Sequence, residues 1–304
     1  MHFSVITPSY NQLEWLELCI ASVRDQVAQK GDEWRVASGE SKKSAGMPLS
    51  IEHIVCDGGS AGIEEFQKRM LERFPNTSNY RLEFVIGPDE GMYDAVNKGL
   101  RRAQGEICSY LNCDEQLLPA ALARVGDYFS KQPDIDVVFG DAILVDRRGV
   151  ALCYWRPYVP TLNHLSGATL NTLSCSTFFR RGIAERGHLF EPQWKAIGDL
   201  QWIRRLLEAH CSMGCLHHAL AAFTHLGDNL GASEVAKEEF DLTRTKRSGA
   251  QRVFRRGIHF VRKALSGAYV KRDFTYELFT LGDSSRRREH HHLNLGWTWP
   301  GSRG

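Results

Sequence analysis

No apolar run in the sequence approaches the ~18 residues that a membrane-spanning helix needs. Nor does a basic segment precede the first strand-like run, HFSVITP, so a cytoplasmic protein without a cleaved leader is expected. Proline (10) and glycine (27) are too sparse among 304 residues for a disordered chain. No internal repeat is present. No strand-to-helix loop carries G-x-G-x-x-G or G-x-x-x-x-G-K-[ST], which argues against a dinucleotide oxidoreductase and against a P-loop enzyme. Cysteines lack paired spacing: Cys19, Cys56, Cys108, Cys113, Cys153, Cys175, Cys211 and Cys215 are scattered, several inside apolar runs, which suits reduced core thiols. Cys211 and Cys215 with His217 and His218 do not make the two spaced ligand pairs of a structural zinc site.

Hydrophobic residues at 42% and charged residues at 24% are ordinary for a globular protein, and the length fits one large domain with an appendage. The net charge of +2 hides an asymmetry. Residues 241–304 carry 14 Lys and Arg against 5 Asp and Glu, a net +9, which leaves −7 on residues 1–240.

Along the chain, residues 2–7, 51–56 and 82–86 read as buried strands, each running into a polar loop and then an amphipathic helix. Those loops are Pro8-Ser9-Tyr10-Asn11, Asp57-Gly58-Gly59-Ser60 and Asp89-Glu90-Gly91. The polar, aperiodic residues 28–50 read as a surface insertion. A helix follows Gly91, with Met92, Ala95, Val96 and Leu100 on one face and Lys98, Arg101 and Arg102 on the other. The short run ICSYL then delivers Asn112, Cys113, Asp114 and Glu115 to a strand's C-terminal end, where open α/β sheets bind ligands. Further on, 117–129 reads as a helix, 135–139 as a strand, 142–145 with 150–154 as a hairpin, 172–179 as a strand, and 198–207 as a helix. Residues 216–226 are a last apolar element. From Glu234 the pattern is helical and basic, with Ala250, Val253, Phe254, Ile258, Val261, Ala264 and Leu265 on one face and a frayed end beyond.

Taken together, TPSYN at 7–11, DGGS at 57–60, DEGMYDAVNKG at 89–99, LNCDE at 111–115, GD at 140–141, STFFRR at 176–181 and GDLQW at 198–202 resemble the family 2 glycosyltransferases of the GT-A fold. The resemblance covers roughly Phe3 to Ser233. It implies an α/β domain over 1–233, built on a Rossmann-like, mostly parallel sheet flanked by helices, and leaves 234–304 as a basic helical tail. It also implies an inverting transfer of a sugar from a nucleoside diphosphate, a UDP-sugar foremost, to a hydroxyl of a glycan or lipid-linked acceptor.

Residue by residue, the resemblance assigns the base and ribose to Pro8, Ser9, Tyr10, Asn11 and Asp57, and places Asp94 and Lys98 near the donor sugar and diphosphate. The family's Asp-x-Asp falls on Asn112, Cys113 and Asp114, so an amide replaces the first acid. Mg²⁺ or Mn²⁺ would then rest mainly on Asp114, with Glu115 second and His225 as a further ligand. Asp199 matches the acid that deprotonates the acceptor. Each position also has an ordinary structural reading: an Asx turn at Asp57, helix caps at Asp114 and Asp199, a solvated helix face at Lys98, a buried histidine at His225. Arg180 and Arg181 read either as facing the acceptor or a phosphate or as surface residues, the latter slightly favoured, and Trp202 as either a sugar platform or core.

The basic tail has two readings: attachment to an anionic membrane surface, making the protein peripheral on the inner face of the cytoplasmic membrane, or packing on the catalytic domain or on a second subunit of a homodimer. Nucleic acid is not expected, since the charge is confined to the tail and no recognition motif accompanies it. The rival functional readings are a nucleotide-sugar binder without transfer activity, favoured by Asn112, and a membrane-docked assembly protein whose tail is the working part.

Overall fold

A strand that is buried along nearly its whole length must have both faces covered, and this chain covers both. In the computed structural model, which describes residues 1–27, 49–165, 170–227, 233–243, 249–270 and 272–295, β1 (His2–Ser9) lies between β2 (Ser50–Asp57) and β4 (Ile107–Tyr110), parallel to both. Outside β2 lies β3 (Tyr80–Ile86), also parallel. Alternation along each strand divides the core into two. Phe3 and Val5 of β1 and Ile51 and Val55 of β2 join one apolar cluster with Leu16 and Ile20 of α1 (Leu13–Arg24) and Phe66 and Met70 of α2 (Ile63–Arg73). Ile6, Ile54 and Cys56 join the other, with Val96 and Leu100 of α3 (Met92–Leu100).

The remaining strands extend the sheet with mixed directions. They are β5 (Gln116–Leu117), β6 (Val137–Val145), β7 (Ala151–Trp155), β8 (Thr177–Arg180) and β9 (Met213–Thr224). The nine-stranded order is β3-β2-β1-β4-β8-β6-β9-β5, with β7 on β6. Strands β4 and β6 flank β8 antiparallel, whereas β6 and β9 run parallel. Helices α4 (Ala121–Lys131) and α7 (Gly198–Glu208) cover opposite faces, and the short α5 (Leu162–Leu165) and α6 (Gly182–Glu185) lie in connections. The order reverses around β1, so the loops after β1 and β4 diverge and leave a crevice at their C-terminal ends.

Three expectations shift. The helix expected from Leu117 begins only at Ala121, because Gln116 and Leu117 pair with Ala222 and Ala221 of β9. The strand expected from Thr172 begins at Thr177, after a single 3-10 turn at Ser174–Ser176. The tail is helical only in part. After α8 (Glu234–Thr243) and α9 (Gly249–Leu265), it becomes an antiparallel hairpin of β10 (Arg272–Thr280) and β11 (Asp283–Leu295). Tyr276 and Leu278 alternate inward into a cluster with Leu118, Ile143, Val145 and Ala222. The side-chain amide of Gln116 both donates to the Phe279 carbonyl (2.9 Å) and accepts from the Phe279 N–H (3.0 Å). Most of the 28–50 insertion lies outside the described residues, although Ser50 already opens β2.

Candidate active site

A cleft of about 820 Å³ opens at the C-terminal ends of β1 and β4. Pro8, Ser9 and Tyr10 enter it from the end of β1, Asn112 to Glu115 from the end of β4, and Asp199 from the first turn of α7. His225, just past β9, also lines it. The two acids on which the sequence reading turned, Asp114 and Asp199, therefore face one cavity although they lie far apart in the chain.

The β4 side is built around a turn of carboxylates. The Asn112 N–H donates to Glu115 Oε2 (2.8 Å), folding the loop so that Asp114 stays partly accessible while Glu115 is 1% exposed. Burial, followed by the charge of Asp114, raises the Glu115 carboxyl well above the usual carboxylate range. The Thr224 hydroxyl donates to the Asp114 carbonyl and ties the loop to β9. The Cys113 thiol donates to Gln12 Oε1 (3.2 Å) and ties it to the β1 loop. Ser9 Oγ, Asn112 Oδ1 and Glu115 Oε1 are buried without a hydrogen-bond partner among the described residues.

Asp199 is positioned by α3 and α8. Gly198 has no side chain, and a Cβ there would stand 2.4 Å from the Tyr93 ring. That space lets the Tyr93 hydroxyl accept the Asp199 N–H (3.1 Å). Tyr93 is itself fixed by stacking on Phe190 (5.4 Å between centroids), and Phe190 is clamped by Asn97, whose amide donates to its carbonyl (2.8 Å) and accepts from its N–H (2.9 Å). On the other side, the buried Glu239 of α8 accepts the successive N–H groups of Lys195, Ala196 and Ile197 at 2.5, 2.9 and 3.0 Å. These donors lead into the start of α7, where a helix leaves N–H groups without internal partners and a carboxylate is favoured. Asp199 opens on the cleft yet is surrounded mostly by protein. Desolvation raises its carboxyl to about 6, opposed by hydrogen bonds from the Leu200 N–H (2.7 Å to Oδ1), its own N–H and the Tyr93 hydroxyl.

Other expected residues lie elsewhere. Asp57 does not line the cleft: it is 1% exposed, Oδ1 accepts the Gly59 and Ser60 N–H groups (3.0 and 2.6 Å), and Oδ2 accepts the Ser60 hydroxyl (2.8 Å). Its place is in the turn beside Tyr10. Asn11 works through its backbone, at φ 53°, with its N–H on Ser60 Oγ (2.7 Å). Asp94 and Lys98 pair with each other (3.2 Å) outside the cleft lining, and Lys98 also donates to the Pro88 carbonyl (2.6 Å). One turn separates them on α3, so the ion pair forms locally. Arg180 donates to the carbonyls of Ile135 and Phe129, Arg181 pairs with Glu185, and Trp202 is core, stacked on Phe190.

The structure gives places to residues that the sequence reading left without a role at the site. Asp89 and Gln12 line the cleft. Asp89 reaches so close to Gly58 that a Cβ there would lie 2.9 Å from its Oδ2 and 3.2 Å from the Tyr10 ring. Tyr93, Asn97 and Glu239 act by holding Asp199. Only the i, i+4 spacing of Tyr93 and Asn97 within α3 offered a signal, because their partners lie about a hundred residues away.

No group of three or more His, Cys, Asp or Glu side chains arranged to hold an ion occurs among the described residues. Asp114 and His225 line the cleft, and the unpartnered oxygens Asn112 Oδ1 and Glu115 Oε1 are oxygen donors of the kind hard cations prefer. A cation that takes only one or two protein ligands and the rest from phosphate and water fits this set.

A family model described as "Glycosyl transferase family 2" matches residues 4–187, more than half of the chain. A PGL/p-HBAD biosynthesis glycosyltransferase of Mycobacterium bovis is 29% identical over 143 residues, 47% of this chain and 47% of that protein, so the chain spans about half the relative's length. Among solved structures, S. aureus TarS 1-349 in complex with UDP-GlcNAc superposes with a TM-score of 0.57 at 18% identity, over 80% of this chain and 64% of that one. A Pyrobaculum calidifontis mannosyltransferase in complex with GDP-Man and Mn²⁺ gives 0.56 at 17% identity, over 86% and 69%. The last two likenesses concern the fold alone. Together with the strand order and the motif order, the family match establishes that the chain belongs to glycosyl transferase family 2, with the GT-A fold.

Proposed function

We propose that this protein transfers a hexosyl or N-acetylhexosaminyl group from a nucleoside-diphosphate sugar, a UDP-sugar first among candidates, to a hydroxyl of a glycan or lipid-linked acceptor, with inversion at the anomeric carbon. The observation that carries this reading is Asp199, a carboxylate held near pKa 6 on the wall of a cleft whose other wall is the acidic turn after β4. A base poised just below neutral pH is ionised at pH 7 and still strong enough to take the acceptor proton as the hydroxyl oxygen attacks. A single carboxylate suffices for an in-line displacement: the new C–O bond forms as the bond to the diphosphate oxygen breaks, and Asp199 receives the proton.

Tyr10, 63% exposed at the edge of the cleft, offers a stacking surface for the base, with Asp89 beside it as an acceptor for an imide N–H. Asp57 supports that corner by folding its loop. Mg²⁺ or Mn²⁺, when bound, would sit on Asp114, with His225 and Glu115 next to it, and would neutralise charge on the departing diphosphate. Ser9 and Asn112 offer hydrogen bonds to ribose or phosphate through their unpartnered side-chain oxygens.

The test is a donor screen: the protein with Mn²⁺ is incubated with a panel of nucleotide sugars, and hydrolysis and thermal protection are read for each. A donor that protects and is slowly hydrolysed supports transfer. The rival reading, a binder without transfer, has Asn112 in its favour; metal-dependent UDP binding with no donor consumed under any acceptor condition would establish it instead.

A further inference from the structure

Asp199 is surrounded by carbon. Ile197 and Leu200, which flank it at the start of α7, are buried in one apolar cluster, and Met92, Leu170, Ala196 and Phe240 pack on that cluster while staying partly exposed. All six line the cleft. Polar groups on this side are already engaged. The Tyr93 hydroxyl accepts the Asp199 N–H, and the indole N–H of Trp155, another lining residue, donates to the Asn171 carbonyl (2.7 Å). The hydrogen-bonding side chains Tyr10, Asp89, Asn112 and Asp114 enter instead from the loops after β1, β3 and β4. Among the described residues, no lysine or arginine lines the cleft, whereas four carboxyl groups do, those of Asp89, Asp114, Glu115 and Asp199.

We infer that the acceptor is an uncharged alcohol or phenol whose hydroxyl is carried directly on an apolar body, the alkyl or aryl group resting on the wall around Asp199. The inference rests on the role proposed above for Asp199 as the base. That role brings the attacking hydroxyl within hydrogen-bond reach of the carboxylate, so the atoms beside the hydroxyl lie against the wall that holds Asp199. A sugar carries a hydroxyl on nearly every carbon. Pressed on this wall, the neighbouring hydroxyls would lose their water and gain no partner. An alkyl or aryl body instead takes its own apolar surface, and that of Leu170 and Phe240, out of water. An anionic acceptor gains no counter-charge from the side chains of this cleft. Desolvation already dominates the environment of Asp199, and an apolar body seated there keeps water from its carboxylate.

The experiment gives the full chain Mn²⁺, the donor that the screen identifies, and 1-octanol, 4-butylphenol or methyl glucoside as acceptor. Mass spectrometry reads the products, and thermal protection of the UDP complex by each acceptor is read without turnover. The expected result is transfer to octanol or to butylphenol, the two arms separating an alkyl from an aryl body, and protection by the same compound. Methyl glucoside should be at least about tenfold poorer in both. L170Q and F240Q, on separate segments, should each raise KM for the apolar acceptor about tenfold and leave donor KM in place. Methyl glucoside as the better acceptor, or donor hydrolysis with transfer to neither alcohol, overturns the inference and leaves the transferase assignment standing. Variants that raise donor KM instead overturn it too, by giving the wall to the donor sugar. A panel in which no donor is hydrolysed or transferred sinks the transferase assignment, and the inference with it.

Discussion

Replacing Asp199 with asparagine removes a charge while leaving shape and most hydrogen bonds in place, and the structure sets both magnitudes. The amide oxygen still accepts the Leu200 N–H, and the Asp199 N–H still meets the Tyr93 hydroxyl. Burial raises the carboxyl from 3.8 to about 6. The unfolded chain therefore ionises this group first, and folding is favoured fully below pH ~4, with that advantage lost as pH rises through ~6. At pH 8 the ionised carboxylate costs about 3 kcal/mol, about half of which is already present at pH 5. D199N escapes that cost, so its melting temperature should gain on wild type by a few degrees between pH 5 and pH 8, measured by differential scanning fluorimetry. Transfer should fall by about 10² to 10⁴, the range for losing a general base, with UDP affinity unchanged. Wild-type kcat/KM should drop about tenfold per pH unit below ~6, as the base protonates. A D199N enzyme that turns over like wild type, or a melting-temperature gap that does not widen with pH, would refute the assignment.

The other predictions separate the two walls of the cleft. D114N should abolish the extra thermal protection that Mn²⁺ adds to UDP, which D199N should retain; isothermal calorimetry of UDP with and without Mn²⁺ checks both. G198A should lower stability by about 1–3 kcal/mol and transfer with it, because the new methyl meets a Tyr93 ring fixed on Phe190; chemical denaturation and initial rates measure the two effects. E239Q cannot supply a charged acceptor to the N–H groups of Lys195, Ala196 and Ile197, so it should cost about 2–3 kcal/mol and reduce kcat with little change in donor KM. Unaltered kcat in E239Q would mean that the brace on Asp199 is dispensable.

The sheet and its ligand edge were legible because buried parallel strands write themselves as short, predominantly apolar and β-prone runs, as at 3–7, 51–56 and 107–111, even with polar residues such as Ser4, Glu52 and Ser109 buried among them, and ligands of open α/β sheets bind at such strand ends. Asp114 and Asp199 could be picked out because motifs mark them. What could not be read depends on partners distant in the chain. Nothing near Glu239 announces that its carboxylate caps residues 195–197, and nothing in DFTYELFT announces that Gln116 receives Phe279. The run RRREHHH masked β11, since charge and β-strand pairing are independent properties. Asp94 and Lys98 belong to the motif helix and pair with each other outside the cleft lining, a placement that their position in the motif did not announce. Asp57 is the instructive middle case: its place in the motif drew attention, and its work in the structure is the turn that the ordinary reading also allowed.

The carboxylate of Glu239 gives this chain an order of events. If Asp199 is the base proposed above, it cannot be held in its place until a helix encoded some forty residues later has been synthesised and docked. A nascent or truncated product ending near residue 233 would have its parallel sheet and its acidic turn, yet its α7 would start with bare N–H groups and a loosely held base. Such a fragment should bind nucleotide and spare its donor, which would place the helix carrying Glu239, and not the sheet alone, among the parts that the proposed chemistry needs.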